Sequence, residues 1–322
     1  MHFDIIPGHI KLKQELIALV DNNRLPHAIL FTGPTGNAKL AFALALSSYI
    51  QCANKNGEDK CGSCSACKKT TKLIHPDINY TIPVSGAHSQ ASMSENIGKW
   101  RKLAIENPFI ELSDWLIVMN AESKLANINK DAILAVNDYY NYTRFEGSKK
   151  IMIIWNAELM GNEGNRLLKL IEEPPADSLI ILIAEDTSKI LKTILSRCQT
   201  FRVPPFSYDE LENWASEKSN SDTNLTRQKI AIADGNINRL ISFFSEDQTD
   251  YFDLFLKWLN TAYIGKTDQI LKFAEEFARM SRENQKQFFS YILKFLEQAI
   301  KSFYLDETGL KLTEKEKILW KN

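Results

Sequence analysis

At 322 residues the chain is too long for one small core and suits two or three domains. Hydrophobic residues make up 44% and charged residues 25%, the balance of an ordinary globular protein, and no apolar run approaches the roughly 20 residues that cross a bilayer. Lys and Arg total 39 against 40 Asp and Glu, a formal net charge of −1, so any grip on nucleic acid must be local or shared among subunits. The opening Met1-His2-Phe3-Asp4-Ile5-Ile6 has no basic region followed by an apolar stretch, which makes a cytoplasmic location the expectation, with no membrane partner.

In chain order, apolar spacing predicts an amphipathic helix over 9–23, a turn at Arg24-Leu25-Pro26-His27, and a buried strand at Ala28-Ile29-Leu30-Phe31. Gly33-Pro34-Thr35-Gly36 ends that strand, and the Ala- and Leu-rich stretch from Lys39 to Tyr49 reads as a helix. Further strands are expected at 115–119, 150–155 and 179–184, separated by helical patterns at 130–142 and 162–172. Such alternation argues for a parallel sheet covered on both faces. A boundary follows at Pro204-Pro205. Ser207 and Glu210 then have capping-box spacing, flanked by Phe206 and Leu211 at the positions of a hydrophobic staple. From there the pattern is helical. A second break is expected near 245–248, followed by apolar stripes through Ile270, Phe273 and Phe277 and through Phe288, Phe295 and Phe303.

Strand, glycine loop and helix in that order begin a P-loop-type α/β domain. A working phosphate loop reads G-x-x-x-x-G-K-[ST]; here the run is Gly33-Pro34-Thr35-Gly36-Asn37-Ala38-Lys39-Leu40. Gly33, Gly36 and Lys39 remain as candidate nucleotide contacts. Ala38 replaces the second signature glycine and is expected to hinder the backbone wrap, and Leu40 replaces the hydroxyl that holds Mg²⁺. At the end of the 150–155 strand, Trp155 and Asn156 stand where acidic residues would bind Mg²⁺ and position water. Hydrolysis by this chain is therefore not expected. Glu158 lies beyond the usual position and is expected to cap the next element.

Cys52, Cys61, Cys64 and Cys67 are spaced C-x8-C-x2-C-x2-C in a polar segment too poor in apolar residues to make a core. Four thiolates close a tetrahedral structural Zn²⁺ site that leaves no open position for catalysis. A redox cluster and an iron–sulfur site are the weaker readings, since Lys68-Lys69-Thr70 stands where a ferredoxin run would continue. His75 is a competing ligand that four cysteines make unnecessary.

The damaged loop, the four-Cys insert after its helix, His75-Pro76-Asp77, the run Asn165-Arg166-Leu167-Leu168-Lys169-Leu170-Ile171-Glu172-Glu173-Pro174-Pro175 and Ser196-Arg197-Cys198 occur here in one order. In this the chain resembles the delta-prime family of bacterial DNA polymerase III, AAA+ subunits of clamp loaders, over about its first two-thirds. The resemblance implies an AAA+ P-loop-like domain over 1–203 with a zinc module at 52–67, a small helical lid domain over 204–246 and an all-α collar domain over 247–322. It implies assembly with gamma/tau and delta subunits to place a sliding clamp on primed DNA. ATP then sits on the partner subunit, and Arg197 is the arginine finger offered to it in trans. Cys198 reads as a small buried hydrophobe. Where the ATPase members of the family sense nucleotide with an Arg three residues after a Gly, Gly235 is followed here by Asn238, with Arg239 beside it. The alternatives are an active gamma-like ATPase using Lys39, and a zinc-dependent nucleic-acid adaptor using Lys68, Lys69 and Lys72.

Overall fold

The computed structural model describes residues 1–85, 90–218, 223–245, 251–280, 282–301 and 303. The chain divides into two compact units, Met1–Phe206 and Ser207–Asn322. The proposed break near 245–248 falls largely outside the described residues.

The first unit opens with α1 (Ile10–Asp21), β1 (Ala28–Thr32) and α2 (Lys39–Gln51). A short α3 (Ser65–Thr71) and β2 (Ile78–Thr81) follow the cysteine segment. Next come β3 (Val84–Ser85), α4 (Gln90–Glu106), α5 (Leu112–Val118), β4 (Ala126–Asn127) and α6 (Lys130–Asn141). The unit closes through β5 (Lys150–Trp155), a 3-10 stretch Ala157–Leu167, α7 (Leu168–Glu172), β6 (Ser178–Ala184), α8 (Lys192–Leu195) and β7 (Gln199–Arg202).

The main sheet runs β2-β5-β6-β1-β7 with every pairing parallel, while β3 and β4 form a separate antiparallel pair. Central β5 and β6 are buried along their whole length, which is why their sequences are continuous apolar runs. On one face Ala132, Ile133 and Val136 of α6 pack with Leu167 and Ile171 over Ile154, Ile180 and Leu182. The helix α2 is buried on every side, so it shows no amphipathic stripe.

Three expectations change. The run 115–119 is not a strand but most of α5. Asp114 Oδ2 accepts the Glu111 N–H at 2.8 Å to cap that helix. Only Trp115 is buried there, its indole N–H donating to Pro83 O at 2.8 Å, while Ile117 faces outward. A short apolar run does not distinguish strand from helix, and the acidic residue three positions after Glu111 decides it. The 162–172 pattern is helical throughout but α-helical only from Leu168; before that it is 3-10, the stretch being broken at Gly161, at φ 51° and ψ −133°. Two sheet strands, β2 and β7, were not expected from the sequence. In β7 only Phe201 is buried, giving too little apolar pattern to read.

The second unit is helical: α9 (Tyr208–Lys218), α10 (Thr223–Ala233), α11 (Ile237–Ser245), α12 (Tyr251–Ile264), α13 (Thr267–Arg279) and α14 (Arg282–Lys301). The Ser207 capping box forms in both directions, Ser207 N–H donating to Glu210 at 2.8 Å and Glu210 N–H to Ser207 Oγ at 3.2 Å. Within this unit α10 and α14 pack together. Arg239 donates to Ser290 Oγ at 2.9 Å, and Lys294 pairs with Asp234 at 2.9 Å. No described helix is long and apolar enough to cross a membrane.

Candidate functional site

The degenerate loop follows the carboxyl end of β1, where open α/β sheets bind ligands. Gly33 is required by close approach: a Cβ there would lie 2.1 Å from Val203 O. Gly36 takes φ 62°, which suits glycine. Ala38, however, has φ −79°, an ordinary angle for any residue, so the alanine causes no backbone strain. What closes the loop is its own lysine. The Lys39 ammonium donates to Gly33 O at 2.9 Å, to Asn37 Oδ1 at 3.0 Å and to Pro34 O. Asn37 is locked in turn, donating to Val203 O at 2.7 Å. The charge that would meet phosphates thus turns inward onto carbonyls. The cavity left beside it, lined by Lys39, Leu40, Trp155, Asn156 and Glu185, is about 10 Å³, roughly the room of one water.

Burial moves the charged groups here. Loss of hydration lowers the Lys39 pKa to about 8, against the pull of Glu185, Glu158 and Glu111. Burial raises Glu185 to about 7, opposed by Lys39. Trp155 is buried against Trp100, ring centres 5.9 Å apart, and neither it nor Asn156 offers a carboxylate to a metal. Glu158 does not stand in for them: its Oε1 accepts the Glu185 N–H at 3.0 Å and ties the end of β5 to the end of β6. Asn156 Oδ1 and Glu158 Oε2 are buried with no hydrogen-bond partner among the described residues.

Arg197 follows α8, exposed, with one guanidinium nitrogen 2.7 Å from Glu172 and another donating to Thr193 O at 2.9 Å. Arg197 lies on a different part of the sheet from the loop, just before β7 rather than after β1. Neighbouring Cys198 packs at the edge of the core, and burial raises its thiol to about 11, which disfavours the thiolate. Arg239 is engaged with Ser290 and lies over the Phe243 ring, a packing role within its own unit.

The four cysteines converge. One ligand atom from each lies within 4.8 Å of all the others, and Cys61 and Cys67 Sγ are 3.9 Å apart. Four sulfurs around a tetrahedral zinc at 2.3 Å would stand about 3.8 Å apart, so the donor set fits that ion. Backbone amides aim at the sulfurs: Cys61 N–H at Cys52, Cys64 N–H at Cys61, and Cys67 N–H at Cys64. Such bonds favour thiolate. The Cys64 amide leads in drawing Cys61 down to about 5, while burial holds Cys67 up to about 12. His75 is not in this group.

His75 and Asp77 do something the sequence did not announce. The Asp77 carboxylate accepts the N–H groups of Phe145, Glu146 and Gly147 at 2.6, 2.8 and 2.6 Å. His75 is buried, its Nδ1 accepting the Asp77 N–H at 3.2 Å. Burial works against the Asp77 charge, but the three amides outweigh it and hold its carboxyl below the usual value. A depressed folded value means the stabilisation is complete above about pH 4 and is lost as pH falls through the folded value. Asp77→Ala, which strands three amides, is expected to lower stability by about 3 kcal/mol or more in urea unfolding at pH 7. The difference between Asp77→Ala and wild type should shrink in acid.

A family model described as DNA polymerase III, delta subunit, matches residues 8–207. DNA polymerase III subunit delta' of Bacillus subtilis is 31% identical over 195 residues, 60% of this chain and 47% of that protein. Subunit delta' of Escherichia coli is 23% identical over 73% of this chain and 59% of its own length. Subunit gamma/tau of Mycoplasma pneumoniae is 28% identical over 75% of this chain and 31% of its own. The chain thus spans about half the length of the delta' relatives it matches.

Proposed function

The chain belongs to the family described as DNA polymerase III, delta subunit, and we propose that it serves a bacterial clamp loader as a subunit that hydrolyses no ATP itself. In this reading it assembles with gamma/tau and delta subunits, and the assembly opens a sliding clamp and sets it on primed DNA. The observation that carries the proposal is the loop filled by its own Lys39, with neither a hydroxyl at Leu40 nor a carboxylate at Trp155 and Asn156 for Mg²⁺. To bind phosphate, Lys39 must give up three acceptors inside a space of about 10 Å³.

The role then passes to Arg197, exposed and held by the surface carboxylate of Glu172 and the Thr193 carbonyl, as a guanidinium offered to ATP on the neighbouring subunit. Cys52, Cys61, Cys64 and Cys67 hold one structural Zn²⁺, supplying folding energy that the polar insert lacks. Within the second unit, the helices over 204–246 form the lid and those over 247–322 supply the collar. Its support is a split stripe: Phe288, Ile292 and Phe295 are buried, while Phe289, Leu296, Ile300 and Phe303 are exposed, and α13 buries no residue fully. Helices that leave such a face open are suited to pack with equivalent helices of other subunits.

Titration of the purified chain with a fluorescent ATP analogue and Mg²⁺ tests the first part. No saturable binding is expected up to about 1 mM, and no ligand-induced rise in melting temperature. Micromolar binding abolished by Lys39→Ala would restore the reading of an active ATPase.

A further inference from the structure

The parallel strands place the start of β5 at the end of the sheet opposite the Gly33–Lys39 loop. There the segment 142–149, between α6 and β5, is anchored from beneath. Besides the three amides on Asp77, Gln51 accepts the Ser148 N–H at 2.9 Å and donates to Lys149 O at 2.6 Å. Ser148 Oγ donates to Ile50 O at 2.8 Å. Yet this fixed backbone turns its aromatic side chains outward: Tyr142 is 74% and Phe145 81% exposed. An anchored loop that displays bare rings loses little freedom on contact.

Open concavities of about 300 and 630 Å³ flank the segment, and Arg144 borders both. The larger also takes in Phe145 and Lys55. Glu146 is paired with Lys69 of α3 at 2.6 Å, and Asp177 with Arg144 at 3.1 Å, so these two acids are neutralised locally. Lys55, Lys68, Lys72 and Lys149 have no acidic partner among the described residues, and Glu58 is the remaining exposed acid of the insert. A chain of net charge −1 therefore carries a local basic excess around exposed aromatic rings.

We infer that this ridge, Tyr142 and Phe145 beside the unpaired Lys55 and Lys149, is a contact surface for single-stranded nucleic acid. Unpaired bases stack on the two rings while the cations meet phosphates, the combination by which strands are held without sequence preference. An acidic peptide would share the cations, but its anchors seek enclosed apolar pockets. Here the concavities are open and the rings project. The inference stands on residues apart from Lys39 and Arg197, so it holds or fails independently of the clamp-loader reading.

The test is fluorescence anisotropy of a labelled 20-mer of deoxythymidine with the full chain, read across 25 to 200 mM salt. Binding is expected to weaken with salt. Phe145→Ala and Tyr142→Ala are each expected to weaken it about tenfold, with unchanged far-UV circular dichroism since both rings are exposed. Lys55→Gln should reduce the slope of log affinity against log salt by about 0.7. Absence of binding at 25 mM salt, or binding that neither aromatic substitution alters, overturns the proposal. So does equal competition by a polyglutamate peptide, which would make the surface a site for acidic protein.

Discussion

Arg197→Ala in the reconstituted assembly is expected to leave the complex intact and to lower ATP turnover by about a thousandfold at the site the residue faces. A guanidinium delivered in trans neutralises charge that develops on the transferred phosphoryl, and arginine fingers are worth at least that factor. The geometry favours easy delivery. The pair with Glu172 leaves the two side chains 38% and 46% exposed, and an ion pair so placed contributes about 0–1 kcal/mol. Leaving Glu172 for a phosphate therefore costs little. Two companions sharpen the expectation. Arg197→Lys keeps the charge but loses the planar fork and should recover only part of the rate. Glu172→Ala should assemble and turn over like wild type; a loss as large as that of Arg197→Ala would mean that the pair holds the fold. The readout is clamp- and DNA-stimulated phosphate release, with gel filtration to verify assembly.

Removing the metal should have the largest effect on structure. The purified chain is expected to carry about one zinc per molecule by elemental analysis, and Cys67→Ser to abolish it. Cys67 is fully buried and lies 3.9 Å from Cys61, so a hydroxyl there can be neither ligand nor packing partner of equal quality. Structural zinc binds four-thiolate sites with an apparent free energy of roughly 10 kcal/mol or more at neutral pH, far above what a 52–67 segment of Lys, Asn, Gly and Ser gains by burial. Chelation should therefore open residues 52–71 to protease and hydrogen exchange. The sheet, whose core lies in β5, β6 and β1, should keep its protection. A module that stays protected without zinc would remove the metal from the account.

The features legible in the sequence were those whose signal is local. Continuous apolar runs gave β5 and β6 because both are buried on two faces, and cysteine spacing alone placed four sulfurs in one cluster. That Leu40 brings no hydroxyl, and Trp155 and Asn156 no carboxylate, could be read position by position. Less legible was whatever depends on distant partners. That Lys39 would turn back on Gly33 and Asn37 requires Asn37 to be held by Val203, which is 166 residues away. That Asp77 would anchor 145–147 involves a separation of 68 to 70 residues. The α5 misreading had a nearer cause: Trp115-Leu116-Ile117-Val118-Met119 has apolar content without period, and only the Glu111–Asp114 cap separates helix from strand.

In the proposed function this chain acts at a neighbour's ATP site and not at its own. The most direct test is stimulated ATPase activity of the reconstituted loader with Lys39→Ala and Arg197→Ala compared side by side. Wild-type turnover is expected for Lys39→Ala and a collapse for Arg197→Ala, both in intact complexes. Collapse with Lys39→Ala and normal turnover with Arg197→Ala would contradict that function and make the chain an ATPase in its own right.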